Sequence, residues 1–361
     1  MTHKRNRQYS GNGNPTSRFL VQSLLAAVLL AMMGSCSDTR QEEAAQFFLK
    51  GNIQLNKQEY REAIRFYTEA INKKPDFADA YNNRGLAKYR NGDLPGALAD
   101  YDKAIDIDPN FEAAYLNRAD VRNDLNDAQN SLADLQRIEK TYKDSAFYQA
   151  RLGETYTRLN NLAPAQAAFD KAIRLDPNNA EALTNRGALL FQQKAYKLSQ
   201  LDLERALQLN PKQHEALNNL SMILARSKNY ESALAYVNRA LEQKPNQPYY
   251  LNNKGYYLMM LDRDKEALPF LQESLQLDNQ NAWAYRNMGI FYLRQKQAGQ
   301  AIEALRKAEQ LDSSVDQVYY YLGNAYQETD NLLKACETWQ TGALAGDNQA
   351  RQQRTIFCSA R

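Results

Sequence analysis

Apolar and small side chains recur at helical spacing along most of the chain, in pairs of short runs. Within residues 78–111 the first run is Tyr81, Gly85, Leu86 and Tyr89, and the second is Ala97, Leu98, Tyr101, Ala104 and Ile105, with Gly92-Asp93 between them. Spacings of three and four put each run on one helical face, and Gly-Asp is a turn signal, so the segment predicts a helix, a tight turn and a second helix. Pro95 falls in the first turn of the second helix, where its missing N–H costs nothing, and Pro109 ends that helix, with Asn110 placed to cap the next. Two such helices cannot bury their apolar faces alone. The unit needs neighbours.

A step of 34 residues carries the pattern through nine consecutive segments without insertion or deletion: 44–77, 78–111, 112–145, 146–179, 180–213, 214–247, 248–281, 282–315 and 316–349. Position 8 is Gly51, Gly85, Ala119, Gly153, Gly187, Ser221, Gly255, Gly289 and Gly323, and position 20 is always Ala or Ser. Position 24 is always bulky: Tyr67, Tyr101, Leu135, Phe169, Leu203, Val237, Leu271, Leu305 and Trp339. The small residues let paired helices approach closely, and the large one fills the space between them. Stacked units of this kind share a continuous core, so the 361 residues read as one elongated domain and not as two globular ones.

The period, the small–large pattern and proline at position 32 in five repeats (Pro75, Pro109, Pro177, Pro211, Pro245) resemble the tetratricopeptide repeat family. That resemblance implies an all-α fold: a right-handed superhelical solenoid of nine helix–turn–helix repeats whose first helices line the inner surface, closed by a capping helix at 350–361. The third repeat departs from the pattern, with Ala119, Ser131, Ile138 and Lys143 where Gly, Ala, Ala and Pro are expected, which predicts a softer junction. Pro269 lies deeper in its helix than Pro95, so the second helix of repeat seven is expected to start late or kink.

The first 35 residues are of another kind. Lys4, Arg5, Arg7 and Arg18 precede an apolar run from Phe19 to Met33, and Gly34-Ser35-Cys36 follows. A basic segment, a short apolar segment and small residues make a secretory signal, and the run is short for a spanning helix of about 20 residues. Met33-Gly34-Ser35-Cys36 resembles a bacterial lipobox, which implies lipidation of Cys36 as the new N-terminus; Met33 stands where leucine is usual. The alternatives are an ordinary cleaved signal or an uncleaved anchor. By the sorting rule of enterobacterial lipoproteins, Ser37 after the lipidated cysteine favours the outer membrane, with residues 36–43 as tether and the repeats outside the cytoplasm.

Removing the signal changes the charge. The whole chain is +3 and residues 1–35 carry four basic groups and no acidic one, so the remainder is −1. With both signs interspersed, nothing in it marks a nucleic-acid partner.

Position 6 of the first helix is asparagine in six repeats: Asn83, Asn117, Asn185, Asn219, Asn253 and Asn287. An amide both donates and accepts, so such a row can bond the main chain of an extended peptide without reading its side chains. The row is similar to the one lining the repeat domain of protein O-GlcNAc transferases, which implies the same mode of peptide capture here. The alternative is that these amides satisfy neighbouring polar groups. Toward the C-terminus the same face carries Tyr249, Tyr256, Met259, Met260, Trp283, Ile290, Leu293, Tyr320 and Tyr321. Aromatic and Met side chains are what binding anchors are made of; Ile290 and Leu293 read instead as packing between successive first helices. The carboxylate clamp of eukaryotic chaperone adaptors in this family is matched in the first three repeats only by Asn52 and Asn83, while Phe48, Ala113 and Asn117 stand at its basic positions, so that clamp is not expected.

Cys336 in the second helix of repeat nine and Cys358 in the tail lie in the same capping region, and in an exported protein the pair reads as a disulfide. Free thiols or a metal site are the alternatives, the latter weakened by the lack of a companion histidine. His214 is the only histidine beyond the signal, and no metal-ligand cluster, nucleophile elbow or phosphate-binding glycine loop occurs. Neither catalysis, nor a cofactor, nor a metal is therefore expected. The expectation is a cell-envelope lipoprotein scaffold that holds a protein or peptide partner in the groove of its repeats. A structural, self-associating assembly factor of an envelope complex is the alternative.

Overall fold

The computed structural model describes residues 39–358, in which every regular element is a helix. The signal segment 1–35 and Cys36 lie outside the described residues. The helices keep the 34-residue register. First helices cover positions 1–13 and second helices positions 17–30, as in Ala78–Arg90 with Leu94–Ile107, Ala180–Gln192 with Tyr196–Leu209, and Ala282–Arg294 with Ala298–Leu311.

Two residues past each first helix, at position 15, the backbone turns left-handed. It does so at φ 56–63° in Gln58, Asn126, Asn160, Lys194, Lys228, Asp262, Lys296 and Asp330, and at φ 86° in Gly92. The N–H of the next residue then returns to a carbonyl five residues back, Asp93 to Lys88 at 2.9 Å and Asn229 to Leu224 at 3.0 Å, closing the helix end. Asp93 also caps the following helix, its carboxylate accepting from the Gly96 amide at 2.9 Å. At the next junction the cap residue is Phe111, and Asn110 donates its backbone N–H to Asp108 instead of capping.

Every side chain at position 24 is at most 1% exposed. Burying each contributes about 2–3 kcal/mol, and the small partner at position 8 is what admits it: a Cβ added to Gly85 would stand 2.8 Å from the Tyr101 ring.

The chain divides into two compact units. The first holds the residues up to Lys143 together with Arg158–Asn161, and the second holds Asp144–Thr157 and everything from Leu162. In the first, the core runs through Ala63, Tyr67 and Ala87 and then through Ala97, Tyr101 and Val121. In the second, the largest cluster gathers Leu217, Val237, Tyr257, Met259, Leu271 and Ile290, followed by Leu305, Val318 and Leu322 and, at the end, Trp339 with Ala350. The division falls at the departures of repeat three. Lys74 and Asp108 are extended, at ψ 90° and 96°, before Pro75 and Pro109, and Asp278 and Asp312 are extended as well, at ψ 96° and 103°, with no proline after them. In repeat three the second helix instead runs on to Tyr142, and Lys143 itself is helical at φ −50°, ψ −27°.

Four sequence expectations need correction. Residues 39–43 are not tether: the first helix spans 39–56, Glu43 pairs with Lys73 at 2.5 Å, and the run Gln-Glu-Glu-Ala-Ala favours helix. The second helix of repeat seven does not start late. It begins at Asp264 in common register, with Pro269 inside it, because Glu266 and Ala267 already bond the Arg263 carbonyl and acidic groups at 264 and 266 suit a helix start. The first helix of repeat nine starts late instead, at Val318, behind Gln317 in a left-handed conformation (φ 63°). The capping helix begins at Asn348 and not at residue 350, set by Asp347, whose carboxylate accepts from the Gln349 and Ala350 amides.

Candidate peptide-binding surface

The asparagines of the first helices are bonded to one another. In the first unit the Asn117 amide donates to Oδ1 of Asn82 at 2.9 Å, Asn82 donates to Asn83 at 3.0 Å, and Asn83 donates to Asn52 at 3.0 Å, where the Tyr67 hydroxyl also donates at 2.7 Å. In the second unit Asn253 donates to Asn218 at 2.9 Å and Asn287 to Asn252 at 2.8 Å. In both, position 6 reaches back to an amide of the preceding first helix. The row thus ties first helices together. Asn83, Asn117 and Asn253 are half-buried and keep a second amide hydrogen, whereas Asn287 is 2% exposed. Asn219 accepts a long bond from Asn218 at 3.5 Å. Asn185 makes no side-chain hydrogen bond among the described residues and lines a cleft of about 600 Å³ with Thr184, Gln213 and His214. His214 is half-buried there, its Nδ1 3.0 Å from the Tyr250 hydroxyl.

A second network was not anticipated from the sequence. Arg84, Arg118 and Arg186 at position 7 each fork onto the carboxylate at position 23 of their own repeat, Asp100, Asp134 and Asp202, at 2.6–2.9 Å. Each also reaches position 25 of the repeat before: Thr68, Asp102 and Asp170 respectively. For Arg118 burial opposes the charge, but the bonds to Asp134 and Asp102 outweigh it and hold the pKa above the usual arginine value; for Arg186 the Asp202 bond does the same against burial. Repeats six to nine lack this bracket. Their position 7 is Leu220, Lys254, Met288 and Leu322. Lys254 lies over the Phe270 ring at 4.0 Å, and burial lowers its pKa.

There the surface becomes aromatic. Tyr249 and Trp283, both at position 2, are 52% and 40% exposed. Tyr256 is half-buried, edge-on to Tyr230 at 6.3 Å, and the rings of Tyr320 and Tyr321 meet at 4.9 Å. Burial pushes the Tyr321 hydroxyl up to about 12, with Arg286 opposing. Met259 and Ile290 are buried in the core and do not face solvent; Met260 and Leu293 are half-buried. Amid these rings lies Arg286, 4% exposed, which sequence reading passed over although it is the one charged residue at position 5 of any repeat.

At the C-terminal end, Cys336 and Cys358 are joined in a disulfide with Cα atoms 5.9 Å apart, and Phe357 stacks on Trp339 at 5.8 Å. The described residues contain no group of side chains suited to hold a metal, and none of their helices is long and apolar enough to cross a membrane.

Models of the tetratricopeptide repeat match residues 48–110, 153–194, 180–213 and 198–248. No curated protein matches the sequence. Among solved structures, the chain resembles the APC/C hetero-tetramer Cut9-Hcn1 at a TM-score of 0.64 and 16% identity, over 88% of this chain and 76% of that one. It also resembles a tetratricopeptide repeat protein from Parabacteroides merdae (TM-score 0.51, 18% identity, 69% of this chain and 98% of that one). A third similarity is to a human IFIT1 dimer with m7Gppp-AAAA (0.52, 19%, 73% and 67%). At these identities the likeness speaks to fold alone. With its 34-residue register, its small-to-large packing between paired helices and these matched segments, the chain is a tetratricopeptide repeat protein.

Proposed function

We propose that this chain is a lipid-anchored scaffold of the bacterial cell envelope that holds a protein partner by an extended segment. Tetratricopeptide repeats make it a protein-interaction scaffold. The observation that carries the finer reading is the exposure of Tyr249 and Trp283 on successive first helices of the second unit. Large rings left in water at equivalent positions are suited to anchor a peptide. Because the amides of Asn253 and Asn287 already hold neighbouring helices, the aromatic repeats supply the main contacts and Asn185 and Asn219 supplement them. The lipobox-like Cys36 supplies the anchor, and Ser37 after it favours the outer membrane.

The test compares capture from a detergent-solubilised envelope fraction by wild type, by Y249A/W283A and by N185A/N219A. The ring variant is expected to keep its melting temperature and lose the partner, and the amide variant to hold it more weakly. Unchanged capture by Y249A/W283A overturns the binding surface. Labelled palmitate is expected to enter the wild type and not Cys36→Ala, and no incorporation by the wild type would overturn the lipid anchor.

A further inference from the structure

Arg286 is a buried cation without a counter-ion among the described residues. It is 4% exposed, and no carboxylate lies within ion-pair distance of it among the described residues. Its guanidinium carries five N–H donors. One donates to Oδ1 of Asn287 at 2.8 Å and one to Oε1 of Gln317 at 3.0 Å, while Nε is buried with no acceptor. The remaining surroundings are three rings, Tyr256 and Tyr321 at 5.3 Å and Trp283 at 5.7 Å from the guanidinium carbon. Ring faces and neutral amides attract a cation but do not neutralise it.

The contrast within the same chain is direct. Arg84, Arg118 and Arg186 each present both prongs to an aspartate. The planar fork of arginine matches a carboxylate in two parallel bonds, and Arg286 has no such partner of its own. One of its two amide acceptors, Gln317, is held at φ 63° at a position where the other repeats have already begun their first helix. Left-handed backbone in a non-glycine residue costs about 1–2 kcal/mol and gathers at ligand clamps. Trp283 is the most exposed of the three rings around the charge, and Tyr256 is half-buried beside it.

We infer that Arg286 is the anchor for a carboxylate of the bound peptide, received between Trp283, Tyr256 and Tyr321. This rests on the peptide-binding reading and adds its chemical specificity. The carboxylate comes from a chain terminus or from an Asp or Glu side chain. A singly charged group balances the single cation, whereas a phosphate of nearly two charges would leave a buried surplus.

The experiment incubates the purified full-length protein in detergent with four pools of random decapeptides. One pool has free C-termini but no Asp or Glu, one has amidated ends with Asp and Glu, one is amidated and lacks both, and the last is this neutral pool with phosphoserine added. Retention from either carboxylate pool is expected to exceed the neutral pool at least tenfold, and which pool wins identifies the source. Arg286→Gln should remove that excess. Arg286→Lys, which keeps the charge without the fork, should retain part of it and controls for folding. Equal retention from all pools, or an excess unchanged in Arg286→Gln, overturns the carboxylate site and leaves peptide binding standing. An excess confined to the phosphoserine pool overturns it in favour of a phosphate. Retention of no peptide from any pool overturns the inference and the peptide-binding reading together.

Discussion

The Asn287 amide donates to Oδ1 of Asn252 at 2.8 Å, from one first helix to the one before it. With both residues 2–3% exposed, neither can turn to water if its partner is removed. Asn287→Ala should therefore destabilise by about 1–3 kcal/mol, the cost of an orphaned buried acceptor. Asn185→Ala, at a site with no such bond, should stay within about 0.5 kcal/mol. Urea midpoints check this, and equal losses in the two variants would contradict the tie between helices.

Arg118 offers a test of burial within one side chain. It bonds Asp134, which is 4% exposed, and Asp102, which is 51% exposed. Removing Asp134 leaves Arg118 only its exposed partner Asp102 and takes the carboxylate from Arg122, whose NH1 lies 2.6 Å from it, and should cost about 3–5 kcal/mol. Asp102→Ala should cost less than about 1 kcal/mol, and that loss should shrink in salt. Comparable losses would show that burial does not govern the network.

Tyr321 gives an alkaline signature. Burial raises its pKa to about 12 from 10.0, so the folded chain keeps a proton that the unfolded chain releases. Its contribution is complete below about pH 10 and is lost as pH rises to about 12, amounting to roughly 3 kcal/mol. Stability measured against pH should fall less steeply over that window in Tyr321→Phe than in wild type. Parallel curves would refute the shift.

Reduction of the Cys336–Cys358 disulfide opens a loop of 22 residues and should cost about 3 kcal/mol in the chain-entropy model. The loss should be local. Amide exchange is expected to quicken in Asn348–Cys358 and Leu332–Leu344 and to stay unchanged in the first unit. Uniform acceleration along the chain would mean that the bond braces more than the cap.

The repeat register was legible because Gly85 and Tyr101, or Gly323 and Trp339, are sixteen residues apart in a pattern that returns every 34. The same interval hid the Arg84–Asp100 pair. Sixteen residues is no neighbour distance within a helix, and only the antiparallel return of the second helix brings the two together. Tyr249 and Trp283 are exposed, Ile290 is buried as its reading as packing between first helices expected, and Met259, placed by spacing on the same face, is covered within the core cluster. Arg286 was missed for a different reason. Its meaning lies in three rings drawn from three repeats, which a reading of one repeat at a time does not assemble.

The left-handed turn at position 15 is glycine once, in Gly92, and is carried in the other eight repeats by side chains that resist that conformation, among them Gln58, Lys194, Lys228 and Lys296. Each such residue concedes about 1 kcal/mol relative to a glycine in the same place, less what glycine loses in chain freedom. The chain thus has thermal headroom distributed evenly along its length, at residues other than Tyr249 and Trp283. A set of exposed glycine replacements at these turns is the route by which this repeat stack can be hardened for heat while its ring-lined face is left as it is.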